Sequence, residues 1–174
     1  LSRGGWSRGR GGNGVDGSSP WYAVYETKDG RHISIGSIER RFYAELLEKI
    51  GLDDEGLRDA PDRQGWDALR EKLAEIFKTR TRDEWTAVLQ DTDICYAPVL
   101  DLDEVADHPQ IRARETLVDL DGVVQPAPAP RFSRTPSEIQ SPPAAPGAHT
   151  DAALADWGFA ADQIADLKEK GAIR

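Results

Sequence analysis

A proline-rich stretch between residues 125 and 147 places the strongest constraint on how this chain folds. Most of the 11 prolines in the sequence lie within it, and few large apolar side chains accompany them. Proline lacks a backbone N–H group and disrupts the interior of helices and central strands. The stretch therefore predicts an extended connector over residues 125–149, between a folded module and short C-terminal helices.

The module that precedes the connector, residues 20–124, mixes strand-like and helix-like patterns. Two β-rich runs flank Asp29-Gly30, a dipeptide typical of tight hairpins, and a second hairpin is expected at Asp121-Gly122. Between them, apolar residues recur at helical spacing, and the short strand "ICYAPVL" contains Pro98, which indicates a sheet edge. We predict an α+β fold with antiparallel hairpins and helices.

Capping residues predict where several helices begin. Ser37 is the expected N-cap of the first helix, and Thr81 with Glu84 forms a capping box for the third. We expect Asp101 to open a small helix over "DLDEVADH", and Pro109 to begin another helical turn.

The two ends of the chain differ from the module. Residues 1–19 are rich in glycine, serine and arginine, which favours a flexible linker, or an arm whose Arg3, Arg8 and Arg10 touch phosphates. Residues 150–174 predict two short helices, the first capped by Thr150. Their apolar side chains form too small a cluster for an independent core, so we expect them to dock on another domain or subunit: Trp157, Phe159, Ile164 and Leu167.

Composition narrows the classes of function. The net charge of −9 disfavours binding to nucleic acid. No apolar run is long enough to span a membrane, and the single cysteine excludes an internal disulfide, so we expect a cytoplasmic protein. The chain begins at Leu1 and contains no methionine, so we expect it to be a piece of a longer protein.

Motifs for common catalytic sites are absent from the sequence. It contains no dinucleotide-binding, Walker A or HExxH motif, and His32, His108 and His149 lie too far apart in sequence to predict a metal site. Ser37 lacks the full nucleophile-elbow pattern. The remaining candidate is Glu39, at a strand-to-helix junction, where a carboxylate either stabilises the helix dipole or faces a site.

Several segments together resemble α-methylacyl-CoA racemases, which belong to the class III CoA-transferase family. The matching pattern comprises the Asp-Gly hairpin, "GSIE", "APVL", "HPQIRAR", "PAPRFS" and "HTD", in this order. The resemblance implies that residues 20–124 form the family's small domain and that the C-terminal helices belong to its large domain. It also implies an interlocked homodimer in the full-length enzyme and an N-terminal half that this chain lacks.

The resemblance further implies roles for three residues. Racemases of this family invert the α-carbon of 2-methylacyl-CoA thioesters with a His and Asp pair, which lies in the absent half. Glu39 corresponds to a glutamate that orients this pair, and Tyr22 and Ile38 correspond to positions that line the acyl pocket. Family members usually have a proline after the glutamate, whereas Arg40-Arg41 stands here, so the turn is expected to be less rigid.

The substrate and partners follow from the same resemblance. The acyl-CoA thioester is the substrate, no separate cofactor or metal is expected, and CoA should bind mainly to the absent half. Two alternatives stay open: a CoA-transferase that moves CoA between carboxylic acids, and a non-enzymatic interaction module. The chain alone is expected to be inactive.

Overall fold

The computed structural model describes residues 6, 8–9, 11–52, 54–57 and 62–173, which form two compact units. The first unit ends at Leu102 and the second begins at Asp103. Part of the expected N-terminal linker, including Arg3 and Arg10, lies outside the described residues. The domain boundaries inferred from the sequence stay predictions, because compact units within one chain do not test domain limits in a longer protein.

The first unit combines a three-stranded sheet with three helices. Its strands are β1 (Tyr22–Glu26), β2 (His32–Gly36) and β3 (Tyr96–Val99); its helices are α1 (Arg40–Lys49), α2 (Trp66–Phe77) and α3 (Arg82–Leu89). Single 3₁₀ turns cover Glu55–Leu57 and Arg63–Gly65. The strands are antiparallel in the order β1-β2-β3, so β3 lies at an edge, as Pro98 predicted.

The first hairpin turns at the predicted dipeptide. Gly30 has φ +73°, a left-handed conformation that glycine adopts without a steric cost. The Asp29 carboxylate accepts hydrogen bonds from the Thr27 hydroxyl and from the backbone N–H of Arg82, which begins α3. The hydrogen bond to Arg82 therefore attaches the turn to the start of α3, which is 53 positions after Asp29 in the sequence.

The core of the first unit lies between one face of the sheet and the helices. Ile33, Leu73, Phe77 and Leu89 are completely buried, and the Trp85 indole N–H donates to the Phe77 carbonyl at 2.8 Å. The apolar residues of α1 that the spacing predicted as its inner face are buried or half-buried: Phe42, Tyr43, Leu46, Leu47 and Ile50. Burial of this kind is the main stabilising contribution to such a domain.

Two predicted helix starts in this unit have different outcomes. The capping box of Thr81 and Glu84 is confirmed, with both reciprocal hydrogen bonds present. The prediction that Ser37 caps α1 is wrong: the N-cap position is Glu39, whose side chain makes no capping hydrogen bond. The Ser37 hydroxyl instead donates to the carbonyl of Ile94 in a buried hydrogen bond.

The second unit consists of short elements around the proline-rich stretch. It contains the helices α4 (Pro109–Ala113), α5 (Thr150–Asp156) and α6 (Ala161–Glu169), and the strands β4 (Leu117–Leu120) and β5 (Val123–Pro126). The β4–β5 hairpin turns at the predicted Asp121-Gly122, both with positive φ. Residues 127–149 form neither helix nor strand.

Two helix predictions in this unit need correction. The expected helix over "DLDEVADH" is one 3₁₀ turn, Val105–Asp107, because His108 precedes Pro109 and adopts the extended backbone that proline favours before it. Thr150 is the first residue of α5 rather than its cap; His149 takes that position without a side-chain hydrogen bond. Of the four apolar residues expected to cluster, Ile164 is buried and Trp157 is 84% exposed.

Among the described residues, no helix has both the length and the apolar sequence required to cross a bilayer.

Candidate functional site

The junction between β2 and α1 is held in place by Ser37, which is completely buried. Its backbone N–H donates to the Trp21 carbonyl at 2.8 Å, and its hydroxyl donates to the Ile94 carbonyl at 2.7 Å. Ser37 directly follows the central strand, and it therefore binds both the residue that precedes β1 and a residue two positions before β3. The turn before α1 was expected to be less rigid because Arg40 replaces the usual proline after Glu39. Two hydrogen bonds of the buried Ser37 restrain it here.

The next two residues point away from the core. The N–H of Ile38 donates to the Gly36 carbonyl at 2.8 Å, which closes a tight three-residue turn. Ile38 is 51% exposed, and Glu39 is exposed at the N-cap position of α1. An apolar and an acidic side chain are thus presented to solvent side by side at one end of the sheet.

Tyr22 lies at the same end of the sheet. It pairs with Gly36 across β1 and β2, and paired residues point to the same face of an antiparallel sheet. The inward face carries the buried Ile33 and Ile35, so Tyr22 and Gly36 belong to the outward face. The structure therefore brings the three predicted site residues, Tyr22, Ile38 and Glu39, to one end of one strand pair.

A groove runs along this outward face, with a volume of about 490 Å³. Gly36 forms part of its floor, because a Cβ atom added there would lie 3.3 Å from the Cβ of Cys95 and 3.7 Å from the Tyr22 ring. Most of the residues that line it are apolar or small, although the side chains of Ala23 and Ile35 point into the core: Tyr22, Ala23, Val24, Ser34, Ile35 and Cys95. Its lining reaches Gly36, which precedes Ile38 by two positions and Glu39 by three in the sequence.

Cys95, which also lines the groove, has an unusual backbone conformation. Its φ is +58°, which is uncommon for a residue with a side chain, and the thiol is exposed. It directly precedes β3, in which Tyr96 pairs with Ile35, so Cys95 follows the register to the position beside Gly36. Its thiol makes only a long contact, 3.7 Å, to the Asp93 carbonyl.

The glycine-rich segment before β1 contributes Gly17 to the rim of the groove. The Asp16 carboxylate accepts hydrogen bonds from the Ser18 hydroxyl and from the backbone N–H of Asn13, and the Ser18 bond does most to hold the pKa of Asp16 well below its usual range. The Arg70 guanidinium donates to the carbonyls of Gly17 and Ser18. This rim is therefore attached to α2.

Two further concavities, both formed by described residues, hold none of the predicted site residues. One, of about 420 Å³, borders Arg63, Trp66 and Arg70. Another, of about 590 Å³, lies within the second unit and is lined largely by apolar residues: Leu117, Val118, Pro128, Phe132 and Pro136. Within the described ranges, no group of three or more His, Cys, Asp or Glu side chains could hold a metal ion.

Gly36 and Cys95 are the site residues that sequence patterns did not identify. A glycine at the end of a strand and a single cysteine carry no motif, and these two residues, 59 positions apart in the sequence, meet only through the register between β2 and β3. The available signal was the alternation along β2: with Ile33 and Ile35 inward, Gly36 must face outward.

Comparisons with known proteins bear on the family and the fold of the chain. The model of CoA-transferase family III matches residues 2–150 of the chain. An α-methylacyl-CoA racemase of Mus musculus is 36% identical over 165 residues, which are 93% of this chain and 43% of the racemase. The chain thus spans less than half the length of that relative.

Two further similarities extend the comparison. A formyl-CoA:oxalate CoA-transferase of Bradyrhizobium diazoefficiens is 32% identical over 118 residues, covering 59% of this chain and 27% of that enzyme. The crystal structure of a CaiB/BaiF family protein from Brucella suis aligns with a TM-score of 0.62 and 25% identity, over 78% of this chain and 37% of that protein. The fold and the sequence therefore indicate the same family.

Proposed function

The chain belongs to CoA-transferase family III, and on that premise we propose that it forms the acyl-facing part of a racemase. The reaction inverts the α-carbon of a 2-methylacyl-CoA thioester by removal and return of its α-proton. The observation that carries the proposal is the exposed Glu39 carboxylate, fixed beside Ile38 at the end of an apolar sheet face. The similarity to the mouse racemase over 93% of the chain supports the same substrate class.

Racemisation at this carbon requires two groups and a stabilised intermediate. Removal of the α-proton shifts negative charge onto the thioester oxygen, and the proton must then return to the opposite face of the carbon. We assign the base and the acid to a His and Asp pair in polypeptide outside these 174 residues. Glu39 would orient the histidine through a hydrogen bond, so that the correct ring nitrogen faces the α-carbon.

The hydrogen-bonded turn at Ser37 restrains the backbone of Glu39, which a residue that positions a histidine requires. A carboxylate can hold a histidine in one tautomer only if its own backbone is fixed to within about 0.5 Å. The two hydrogen bonds of Ser37, to the carbonyls of Trp21 and Ile94, supply that restraint. We place Tyr22 and Ile38 against the acyl group, where their exposed apolar surface would exclude water from the α-carbon.

We propose that most of the CoA moiety binds outside this chain. The net charge of −9 repels a polyanionic nucleotide, and no phosphate-binding motif precedes any helix in the sequence. The complete site would then join an acyl-facing wall from this chain to a nucleotide-binding wall from the rest of the family's fold, within an interlocked homodimer.

Exchange of the α-proton tests the proposal directly. One enantiomer of 2-methyldecanoyl-CoA is incubated in deuterated water with the chain alone, and with the chain plus a second polypeptide that carries the N-terminal half of the family's fold. Mass spectrometry follows deuterium at the α-carbon, and chiral chromatography follows inversion. We expect both signals only when the two polypeptides are combined; association of the two without exchange would overturn the racemase and leave a CoA-transferase or an interaction module.

A CoA-transferase is the second candidate, because a formyl-CoA:oxalate CoA-transferase shares 32% identity over 118 residues. The same incubation distinguishes it once a free carboxylate acceptor is added. Transfer of CoA to the acceptor without loss of the α-proton would identify a transferase. The greater coverage of the chain by the racemase, 93% against 59%, favours racemisation.

A further inference from the structure

The hairpin of β4 and β5 is a two-stranded sheet with exposed apolar side chains. Val123 is 46% exposed and Val124 is 56% exposed, and no third strand joins the sheet among the described residues. An isolated two-stranded hairpin is only marginally stable in water, and additional strands stabilise it. A further strand on one of its edges would therefore stabilise this sheet.

The register of the hairpin shows which backbone groups are used within it. Both residues of the two-residue turn have positive φ, so the pair that flanks the turn, Leu120 and Val123, exchanges hydrogen bonds. Hydrogen-bonded pairs then alternate along the two strands. The N–H of Ala127 donates to the Thr116 carbonyl at 2.9 Å, as this alternation requires.

The two edges of the hairpin differ in what they offer to another strand. By the same alternation, the backbone groups of Leu117 and Asp119 point away from β5, and those of Val124 and Pro126 point away from β4. Pro126 has no N–H group, and proline at an edge opposes pairing with a further strand. The concavity of about 590 Å³ is lined by Leu117, Val118 and Asp119, so solvent reaches the edge of β4. The edge of β4 is thus open, and the edge of β5 is protected.

We propose that β4 is a self-association surface, on which β4 of a second copy of this chain pairs antiparallel with Val118 at the two-fold axis. Leu117 of each copy then lies opposite Asp119 of the other, and each of these two pairs exchanges two hydrogen bonds. The two Val118 residues form the pair without hydrogen bonds, with Cα atoms about 4.5 Å apart. The two hairpins become one four-stranded sheet.

Charge favours this register over the neighbouring ones. An axis at Asp119 would place two carboxylates opposite each other, which is destabilising. An axis at Leu117 would place Asp119 opposite Glu115, a second like-charge pair, and the Glu115 carbonyl already accepts a hydrogen bond from Arg131. The axis at Val118 places Asp119 opposite an apolar side chain and uses all the outward-pointing backbone groups of β4.

The protected edge of β5 limits the assembly to two copies. Pairing between like edges closes as a two-fold dimer, whereas pairing of β4 with β5 of the next copy would continue as a fibre. Pro126 disfavours the second arrangement. The interlocked homodimer that the family resemblance implies is a different contact, because the pairing proposed here needs only one strand of each copy. It depends neither on the proposed reaction nor on polypeptide outside this chain.

Sedimentation velocity of the wild-type chain measures the association. A contact between four-residue strands is small and is expected to be weak, so the chain concentration is varied from about 1 μM to about 1 mM. We expect particles of one chain at the low end, particles of two chains at the high end, and no larger species. A single chain at every concentration would overturn the inference, and so would particles that keep growing.

A disulfide tests the pairing at the axis. In a Cys95→Ser background, Val118→Cys places two thiols in a cross-strand pair whose Cα separation, about 4.5 Å, suits a disulfide. We expect oxidation to link about ten times more of this variant than of Val124→Cys, the control on the protected strand, because a held pair has the higher effective concentration. Val124 is more exposed than the half-buried Val118, so random collision would favour the control. Equal yields would overturn the inference.

Two charge variants test the register. Val118→Lys and Val118→Glu each place like charges at the axis, so each should raise the dissociation constant of the dimer about tenfold. An equimolar mixture of the two should restore dimers, because opposite charges then face each other. Circular dichroism of each variant checks that it is folded. Folded variants that fail to form dimers when they are mixed, or that form dimers separately as well as the wild type does, would overturn the inference.

Discussion

The two faces of the three-stranded sheet carry similar residues but have different surroundings. On the inner face Tyr25, Ile33 and Ile35 are each less than 5% exposed, in the core formed with the helices. On the outer face Tyr22 and Val24 are at least 37% exposed. Antiparallel sheets commonly present polar side chains to water. The apolar side chains of the outer face therefore contribute little to the core, and those at the Tyr22 end lie beside the candidate site.

The inner face should dominate stability. Ile33→Ala removes a completely buried side chain and leaves a cavity, so we expect the free energy of unfolding to fall by about 2–5 kcal/mol. Urea unfolding followed by tryptophan fluorescence measures this, because four of the five tryptophans lie before Leu102. Val24→Ala is the matched control on the opposite face and should change stability by less than about 0.5 kcal/mol. Equal losses from both variants would show that the outer face is covered in solution.

Ser37 connects the end of the sheet to the candidate site, because it follows β2 and precedes Ile38 and Glu39. Ser37→Ala leaves the buried Ile94 carbonyl without its donor, so we expect a loss of about 1–3 kcal/mol in the same urea experiment. Ser34→Ala removes a hydroxyl that donates to Ala97 on the exposed face, and should cost much less. In the combined polypeptides, Ser37→Ala should also lower the rate of α-proton exchange, because the backbone before Glu39 loses one of the two hydrogen bonds that fix it. If Ser37→Ala lowers the free energy of unfolding but leaves the rate of α-proton exchange unchanged, Ser37 has no role in positioning Glu39.

Local signals in the sequence predicted local structure well. The Asp29-Gly30 and Asp121-Gly122 hairpins and the capping box of Thr81 and Glu84 are confirmed, because each depends on residues fewer than five positions apart. The prediction for Ser37 was wrong for the opposite reason. Its hydroxyl pairs with a carbonyl 57 positions away, and no local pattern reports that acceptor.

The candidate site shows the same division. Ile38 and Glu39 are adjacent in the sequence, and the resemblance to the racemases predicted a site role for each of them. The groove beside them is formed by Gly36 and Cys95, which meet only through the pairing of β2 with β3. The alternation of Ile33 and Ile35 shows which way Gly36 faces, but the chain register that brings Cys95 to it is a tertiary property.

Acid should weaken the hairpin that carries the sheet. The hydrogen bond from Thr27 lowers the pKa of Asp29 below its ordinary value of 3.8, helped by the backbone N–H of Arg82. Because the folded state binds the proton less tightly than the unfolded state, this contribution to stability is present above pH 3.8 and is lost as pH falls through the lower folded pKa.

Asp29→Asn tests this dependence. We expect the variant to be less stable than the wild type at pH 6, and the difference between them to shrink as the pH falls below about 4. Urea unfolding at a series of pH values measures the difference. Glu26 and Glu84 also have lowered pKa values, through Lys78 and Thr81 respectively, so both proteins should retain some acid sensitivity. A difference that stays constant with pH would show that the Asp29 bonds do not depend on its charge.

The smallest effect on stability is expected at the residue that matters most for the chemistry. The Glu39 carboxylate is exposed and makes no capping hydrogen bond, so Glu39→Gln should move Tm by less than about 2 °C. In the combined polypeptides the same change should lower kcat for inversion, since a neutral amide orients a histidine without stabilising its protonated form. Glu45→Gln, on the same helix, is the control and should leave kcat unchanged. Full activity in Glu39→Gln would show that this carboxylate has no role in catalysis and interacts only with the helix dipole.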